Sequence, residues 1–444
     1  MSGKKYKPLK LRKEIKAAVR KAVEAQPIID MHTHLYPPSF GTTLGGPKRT
    51  SDPAGLLLWG VDELLTYHYL VAEVFRVVPA SRLSYADFWK MSKQEQADHI
   101  WRHLFVERSP VSEACRGVLT CLNTLGLDAA DKNLVGIRKW FSEQDPDRYI
   151  DKVMRLANVE SITMTNAVFD DNERNRWLAN PGVGDDPRFK AVLRFDPILR
   201  DWPAACVKLR AWGYDVSEDM TQHTIDEARR FVGEWIEKIG AIYCAVSLPP
   251  DFRYPVVGDD RKAQLGEQVL EKVVLPTCAD TGLPFAMMIG SKLRVNPALG
   301  DAGDMVGKSD VASVVNLCAN FPQNRFFCTM LARENQHELA VAARKFGNLM
   351  IFGCWWFLNN PVLIEELMRM RTELLGLSYI PQHSDARVLD QLLYKWRHSR
   401  EILVKVLTDK YQDTVDAGWP VTRDDIAHDV ALLLHDNFKT FLKG

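Results

Sequence analysis

The sequence predicts an α/β protein built as a closed (β/α)8 barrel with a helical insertion after the first strand. Three features predict it. Eight short apolar runs lie along the chain, most of them followed by a segment with helical period. The stretch from 54 to 145 shows helical spacing and no convincing strand. The length, 444 residues, accommodates a barrel of about 250 residues carrying insertions.

The basic opening, residues 1–25, reads as an amphipathic helix with Leu11, Ile15, Val19 and Val23 on one side. The run 27–34, PIIDMHTH, is short, rich in branched residues and closed by Pro37-Pro38, as expected of a buried strand ending in a loop. In the insertion, Leu56, Leu57, Val61, Leu64 and Leu65 recur at helical spacing. Further strands are expected at 160–168, 190–196, 240–247, 284–290, 325–331, 348–354 and 378–383. Helical segments lie at 223–239, 263–281, 309–320, 334–346 and 361–376. The expected division is 1–40 for the first helix and strand, 41–150 for the insertion, and 151–444 for the rest of the barrel and the C-terminal helices. An open doubly wound sheet is the alternative, but no Gly-rich turn follows the first strand.

Composition narrows the function classes. Lys plus Arg equals Asp plus Glu at 57 each, whereas a dedicated nucleic-acid binder carries a basic surplus. No run approaches the roughly 18 apolar residues of a membrane span, and the opening lacks the apolar core of a secretory signal. Eight scattered cysteines without a CxxC pair read as buried free thiols of a reducing, cytoplasmic compartment. No GKS/T loop, GxSxG elbow or HExxH is present, which excludes the P-loop, common serine-hydrolase and zincin readings.

Barrel chemistry gathers at the C-terminal strand ends. His32 and His34 end the first strand two residues apart, on the same side, where both imidazoles can share a divalent metal; two structurally hydrogen-bonded histidines are the alternative. Asp385 follows the last strand, which closes beside the first, so its carboxylate can complete a His, His, Asp site; it also suits a helix N-cap. Arg387 is placed to pair with that acid or to orient a substrate oxygen, or is a surface residue of the next helix. Arg194 ends the third strand, a charge inside an apolar run whose planar fork suits a carboxylate, or an ion pair with Asp196. Trp355 and Trp356 end the seventh strand on opposite sides, one facing the mouth as a sugar-sized wall, or both in the core. Tyr67-His68-Tyr69 in the insertion reads first as a core aromatic stripe. The histidines at 99, 103, 223, 337, 398, 428 and 435 lie in or near helical segments and read as structural or solvent-facing.

These residues together resemble the uronate (glucuronate) isomerase family of the amidohydrolase superfamily. Asp30-Met31-His32-Thr33-His34 is similar to its D-x-H-x-H, His68-Tyr69 to its D-H-Y-K, Leu193-Arg194-Phe195-Asp196 to its F-R-P-D, Gly353 to Phe357 to its G-x-W-W-F, and Asp385-Ala386-Arg387 to its D-S-R. The resemblance implies that His32, His34 and Asp385 hold one divalent ion, with zinc first and manganese, iron or cobalt as alternatives. It implies that Arg194 takes the uronate carboxylate, that Tyr69, Asp385 and Arg387 surround the carbons exchanging a proton, and that His68 and a tryptophan line the substrate. Arg294 and Asn296 partly match a polar R-N-N-N run, which makes Arg294 a further expected substrate contact. The chain departs from the family at Met288, where an imidazole is expected, at Leu248-Pro249 in place of S-D-H, and at Leu70, where a lysine is expected. The expected partner is a small sugar acid, with a homo-oligomer also in view. The expected reaction is aldose–ketose isomerisation by proton transfer between C2 and C1. A metal-dependent hydrolase of sugar-acid lactones, esters or amides is the alternative, and a non-catalytic sugar-acid binder the third reading.

Overall fold

In the computed structural model, residues 8–130, 132–180 and 182–444 are described; the first seven residues of the basic opening lie outside them. Seven staves of the barrel are parallel strands: β1 (Ile28–Thr33), β2 (Val159–Met164, continued by Asn166–Ala167), β3 (Phe189–Lys190 and Leu193–Arg194), β4 (Cys244–Leu248), β5 (Phe285–Ile289), β6 (Phe326–Met330) and β7 (Leu349–Ile351). β1 pairs with β2; the two halves of β2 pair with the two halves of β3, and the ladder continues in chain order to β7. Every residue of β1, β4, β5 and β6 is buried, as expected of strands covered on both faces.

The eighth stave is not the regular strand expected at 378–383. Ile380 bridges β7, donating to Ile351 O and accepting from the Gly353 amide, and the ladder stops there. The next residue is Pro381, which has no amide hydrogen to extend it. The chain closes on β1 four residues later, where the Asp385 amide donates to His32 O at 3.1 Å and the His34 amide to Ala386 O at 2.7 Å. β4 starts at Cys244 rather than 240, because Gly240 is the left-handed C-cap of the helix Gln222–Ile239.

Around the staves, helices alternate as the sequence period requires, among them Gln222–Ile239, Val311–Asn320, Gln336–Ala343 and Pro361–Leu375. The segment 263–281 is two helices, Arg261–Val269 and Leu275–Thr281, joined by a wider turn. The first helix runs Arg12–Ala25 and buries Ile15, Val19 and Val23 against the helices Gln391–Asp416 and Arg423–Ala431. Leu11, expected on that stripe, sits at the N-cap position instead and is exposed. The insertion contributes helices from Val61–Leu65 through Val135–Ser142. The next helix, Pro146–Ala157, packs on β2 and leads into it. All eight cysteines are buried free thiols. Among the described residues no helix is long and apolar enough to cross a membrane.

Candidate active site

β1 delivers His32 and His34 to the barrel mouth, and the closing segment brings Asp385 to them. Asp385 Oδ1 stands 3.5 Å from His32 Nε2 and 3.4 Å from His34 Nε2. One ligand atom from each residue falls within 4.8 Å of the others, a spacing one cation can bridge.

Asp30, the first residue of the motif, builds this juxtaposition. Its fully buried carboxylate accepts the Ser384 amide at 3.0 Å and the Trp396 indole N–H at 2.9 Å, tying β1 to the segment that carries Asp385. Burial raises the Asp30 pKa, and these donors oppose that rise. Asp385 takes a left-handed backbone, φ 51°, which an aspartate tolerates better than most residues and which turns its side chain toward the histidines.

Hydrogen bonding sets the tautomers. The single hydroxyl hydrogen of Thr165 goes to Thr33 O at 2.8 Å, so its contact with His32 Nδ1 at 3.3 Å makes that nitrogen the donor. His32 Nε2, on the side of Asp385, is buried and has no hydrogen-bond partner. Burial, against the pull of Asp385, drives His34 down to about 3, leaving it neutral. Burial alone would raise Asp385, but the adjoining His32 and His34 rings hold it well below the usual carboxylate range. Two imidazoles, one of them with an orphaned buried nitrogen, and one carboxylate are the donor set a divalent cation takes, so the residues fit one.

A cavity opens over this triad. Its lining includes Tyr67, His68, Arg194, Arg200, Ser247, Met288, Ser291, Asp304, Trp355, Trp356 and Arg387. His68 Nε2 accepts the Trp356 indole N–H at 3.0 Å, so its proton sits on Nδ1. Both tryptophans line the cavity, contrary to the expected opposition. Strand alternation has ended by that point: Gly353 lies at φ 62° and Trp356 at φ 47°. Gly353 is required for a second reason. A Cβ there would fall 1.8 Å from Nδ1 of His383, whose buried ring packs edge-on to His32 at 5.3 Å.

Arg194 reaches the cavity with part of its fork engaged: Nε donates to Asp196 Oδ2 at 2.5 Å and Nη2 to Ser247 Oγ at 2.9 Å. Arg387 lines the cavity and contacts Asp301 at 3.4 Å. Met288 fills the floor with a thioether that transfers no proton. Tyr67, rather than Tyr69, is the phenol on the cavity wall. Tyr69 stands behind it, its ring 4.6 Å from that of His68, its hydroxyl buried without a partner. Burial and the Asp385 carboxylate raise both phenols, which keeps them protonated. Arg294 is exposed and does not line the cavity. The chain leaves β5 as a short hairpin, Ser291–Lys292 with Met305–Val306, and Arg294 lies in its loop at φ 50°. The sequence pattern assigns no role at the site to Arg200, Asp30, His383 or Tyr67. The signal for Asp30 is its place two residues before His32 in a buried strand, where an acid demands donors; Arg200 carries no such signal, because it ends a helix the periodicity did not reveal.

A parallel barrel with two histidines from β1 and an aspartate from the last stave converging beneath a cationic cavity defines a metal-dependent enzyme of the amidohydrolase superfamily. No protein-family model and no curated protein matches the chain. Solved structures do: a uronate isomerase from Bacillus halodurans C-125 is 51% identical, with a TM-score of 0.90 over 98% of this chain and 97% of that one. A uronate isomerase from Thermotoga maritima (15% identity, TM-score 0.73, 97% of each chain) and a glucuronate isomerase from Caulobacter crescentus (17%, 0.67, 97% of this chain and 94% of that one) share the fold. The chain belongs to the uronate isomerase family.

Proposed function

We propose that this protein is a metal-dependent aldose–ketose isomerase of a uronic acid, converting D-glucuronate to D-fructuronate or acting on a closely related sugar acid. The observation that carries this is the placement of His32, His34 and Asp385 beneath the same cavity that presents Arg194 and Arg387, in a chain half identical to a uronate isomerase.

The reaction removes a proton from C2 of the open-chain aldose and delivers one to C1. His32, His34 and Asp385 would hold the ion; zinc suits this set first. A divalent cation there supplies Lewis-acid polarisation of substrate oxygens, which acidifies the C–H beside the carbonyl. Asp385, kept ionised by its two histidines, is the base for C2. Arg387 offers its guanidinium to the charge that develops on the adjoining oxygens. Tyr67 and Tyr69, kept protonated by burial, serve as donors rather than bases. Arg194 orients the substrate through its carboxylate and so fixes which carbon meets the base. His68, Trp355 and Trp356 wall the sugar and exclude water. Eight buried free thiols suit a reducing cytoplasm.

The test is metal analysis followed by a panel of uronates in deuterated water. Ketose formation with deuterium at its C1, and at C2 of the recovered aldose, abolished by a chelator and restored by a divalent metal, is expected. Release of acid from sugar lactones or amides with no exchange at C2 would replace the isomerase by a hydrolase.

A further inference from the structure

Arg200 ends the short helix Asp196–Arg200 that follows β3. It lines the cavity above the triad together with Arg194, Ser247 and Asp304, and it also lines two outer grooves, so it stands where the inner cavity meets solvent. Its electrostatic position differs from that of its neighbours. Arg194 is paired with Asp196 at 2.5 Å, so the two together carry almost no net charge. Arg387 faces Asp301 at 3.4 Å. Asp304 adds a negative charge to the same wall. Among the described residues, Arg200 is the cavity cation with neither a carboxylate within 4 Å nor a hydrogen-bond acceptor in the protein. A partly buried guanidinium without a partner is disfavoured, and an entering anion removes that penalty.

We infer that Arg200 binds the carboxylate of the substrate, as the second cation of a clamp whose first is Arg194, and that it carries the preference for sugar acids over neutral sugars. The inference rests on the uronate reading of the site and deepens it. Arg194, held by Asp196 and Ser247, supplies direction: its position is fixed before substrate arrives. Arg200 supplies the net positive charge that Arg194 lacks, on a side chain without protein partners at the cavity mouth. A planar fork meeting a carboxylate gives paired, charge-assisted hydrogen bonds that an uncharged amide of the same shape cannot reproduce.

The experiment compares binding of gluconate and its neutral isostere gluconamide, by calorimetry on zinc-loaded protein, with uronate kinetics in parallel. Arg200→Gln is expected to weaken gluconate by about tenfold or more, the scale of a lost charged hydrogen bond, and to leave gluconamide nearly unchanged. KM for the uronate rises by a similar factor, with most of the loss in KM rather than kcat, and Arg200→Lys recovers part of it. Lys292→Gln, which removes an exposed charge lining the adjoining groove, is the control and stays close to wild type. Arg200→Gln binding gluconate like wild type, losing both ligands equally, or matched by Lys292→Gln would overturn the inference. Wild-type protein that binds gluconate over gluconamide yet isomerises no uronate would sink the proposed reaction and leave the Arg200 assignment standing. Wild-type protein without that preference would sink the assignment whatever the reaction.

Discussion

The two walls of the cavity are built in different ways. The wall made by β1 and the closing segment is buried and cross-tied. Asp30 holds Ser384 and Trp396, two main-chain bonds join residues 32–34 to 385–386, and Asn359 links to Ser384 O and to Gln382. The facing wall, on β3 to β5 and the segments that follow them, carries half-exposed Arg194 and Arg200 with few such ties. In the proposed reaction the first wall positions the atoms that would hold a metal and move a proton, where an error of an ångström is severe. The second would read the far end of the substrate, where side-chain freedom is tolerable. On that reading the chemistry rests on over-determined backbone, and selectivity on two guanidinium groups, one held by Asp196 and Ser247 and one without protein partners.

The largest effects should therefore come from the first wall. Asp385→Asn removes both the anionic ligand and the base, and turnover should fall by about a thousandfold or more, with metal content dropping in the same preparation. Near-normal turnover with full metal would end the assignment of Asp385. Gly353→Ala forces a Cβ into His383 and strains a left-handed backbone, so unfolding free energy should fall by about 3 kcal/mol or more, read by denaturant titration. Asp30→Asn is gentler. It keeps the size but turns one acceptor into a donor, leaving either the Ser384 amide or the Trp396 indole N–H unsatisfied, at a cost of about 1–3 kcal/mol. Because that bond aligns Asp385, activity should decline along with stability. A stable Asp30→Asn protein with full activity would show that the two backbone bonds to β1 suffice without it.

The contrast between the walls also explains what was legible in the sequence. Period-two spacing on a buried strand places His32 and His34 together without reference to the rest of the fold, and barrel closure brings Asp385 beside them. The apolar run at 378–383 suggests a regular eighth strand, but Pro381 breaks the ladder after the bridge at Ile380. Both tryptophans reach the cavity because alternation fails once the backbone turns left-handed at Gly353 and Trp356. Arg200 rather than Arg294 lines the cavity for a third reason. Both lie in segments after strands, and which arginine turns inward is decided by hairpin and helix geometry that no local pattern encodes. Asp30 was quoted in a motif, yet its donors lie more than 350 residues away, beyond any local spacing argument.

The smallest effect belongs to the recognition wall. Arg194→Lys keeps the charge but loses the planar fork, and a single ammonium cannot satisfy Asp196, Ser247 and a substrate carboxylate in the same geometry. KM for the uronate should rise by about tenfold while kcat moves little, since the base and the metal ligands are untouched. Stability should change by less than in Asp30→Asn, because Arg194 keeps access to solvent and its lost contacts are replaced by water. The informative result is a kcat loss matching the KM rise. That outcome would mean the substrate's far end is coupled to the reacting carbons through a rigid fit, and the looseness ascribed to this wall would have to be given up.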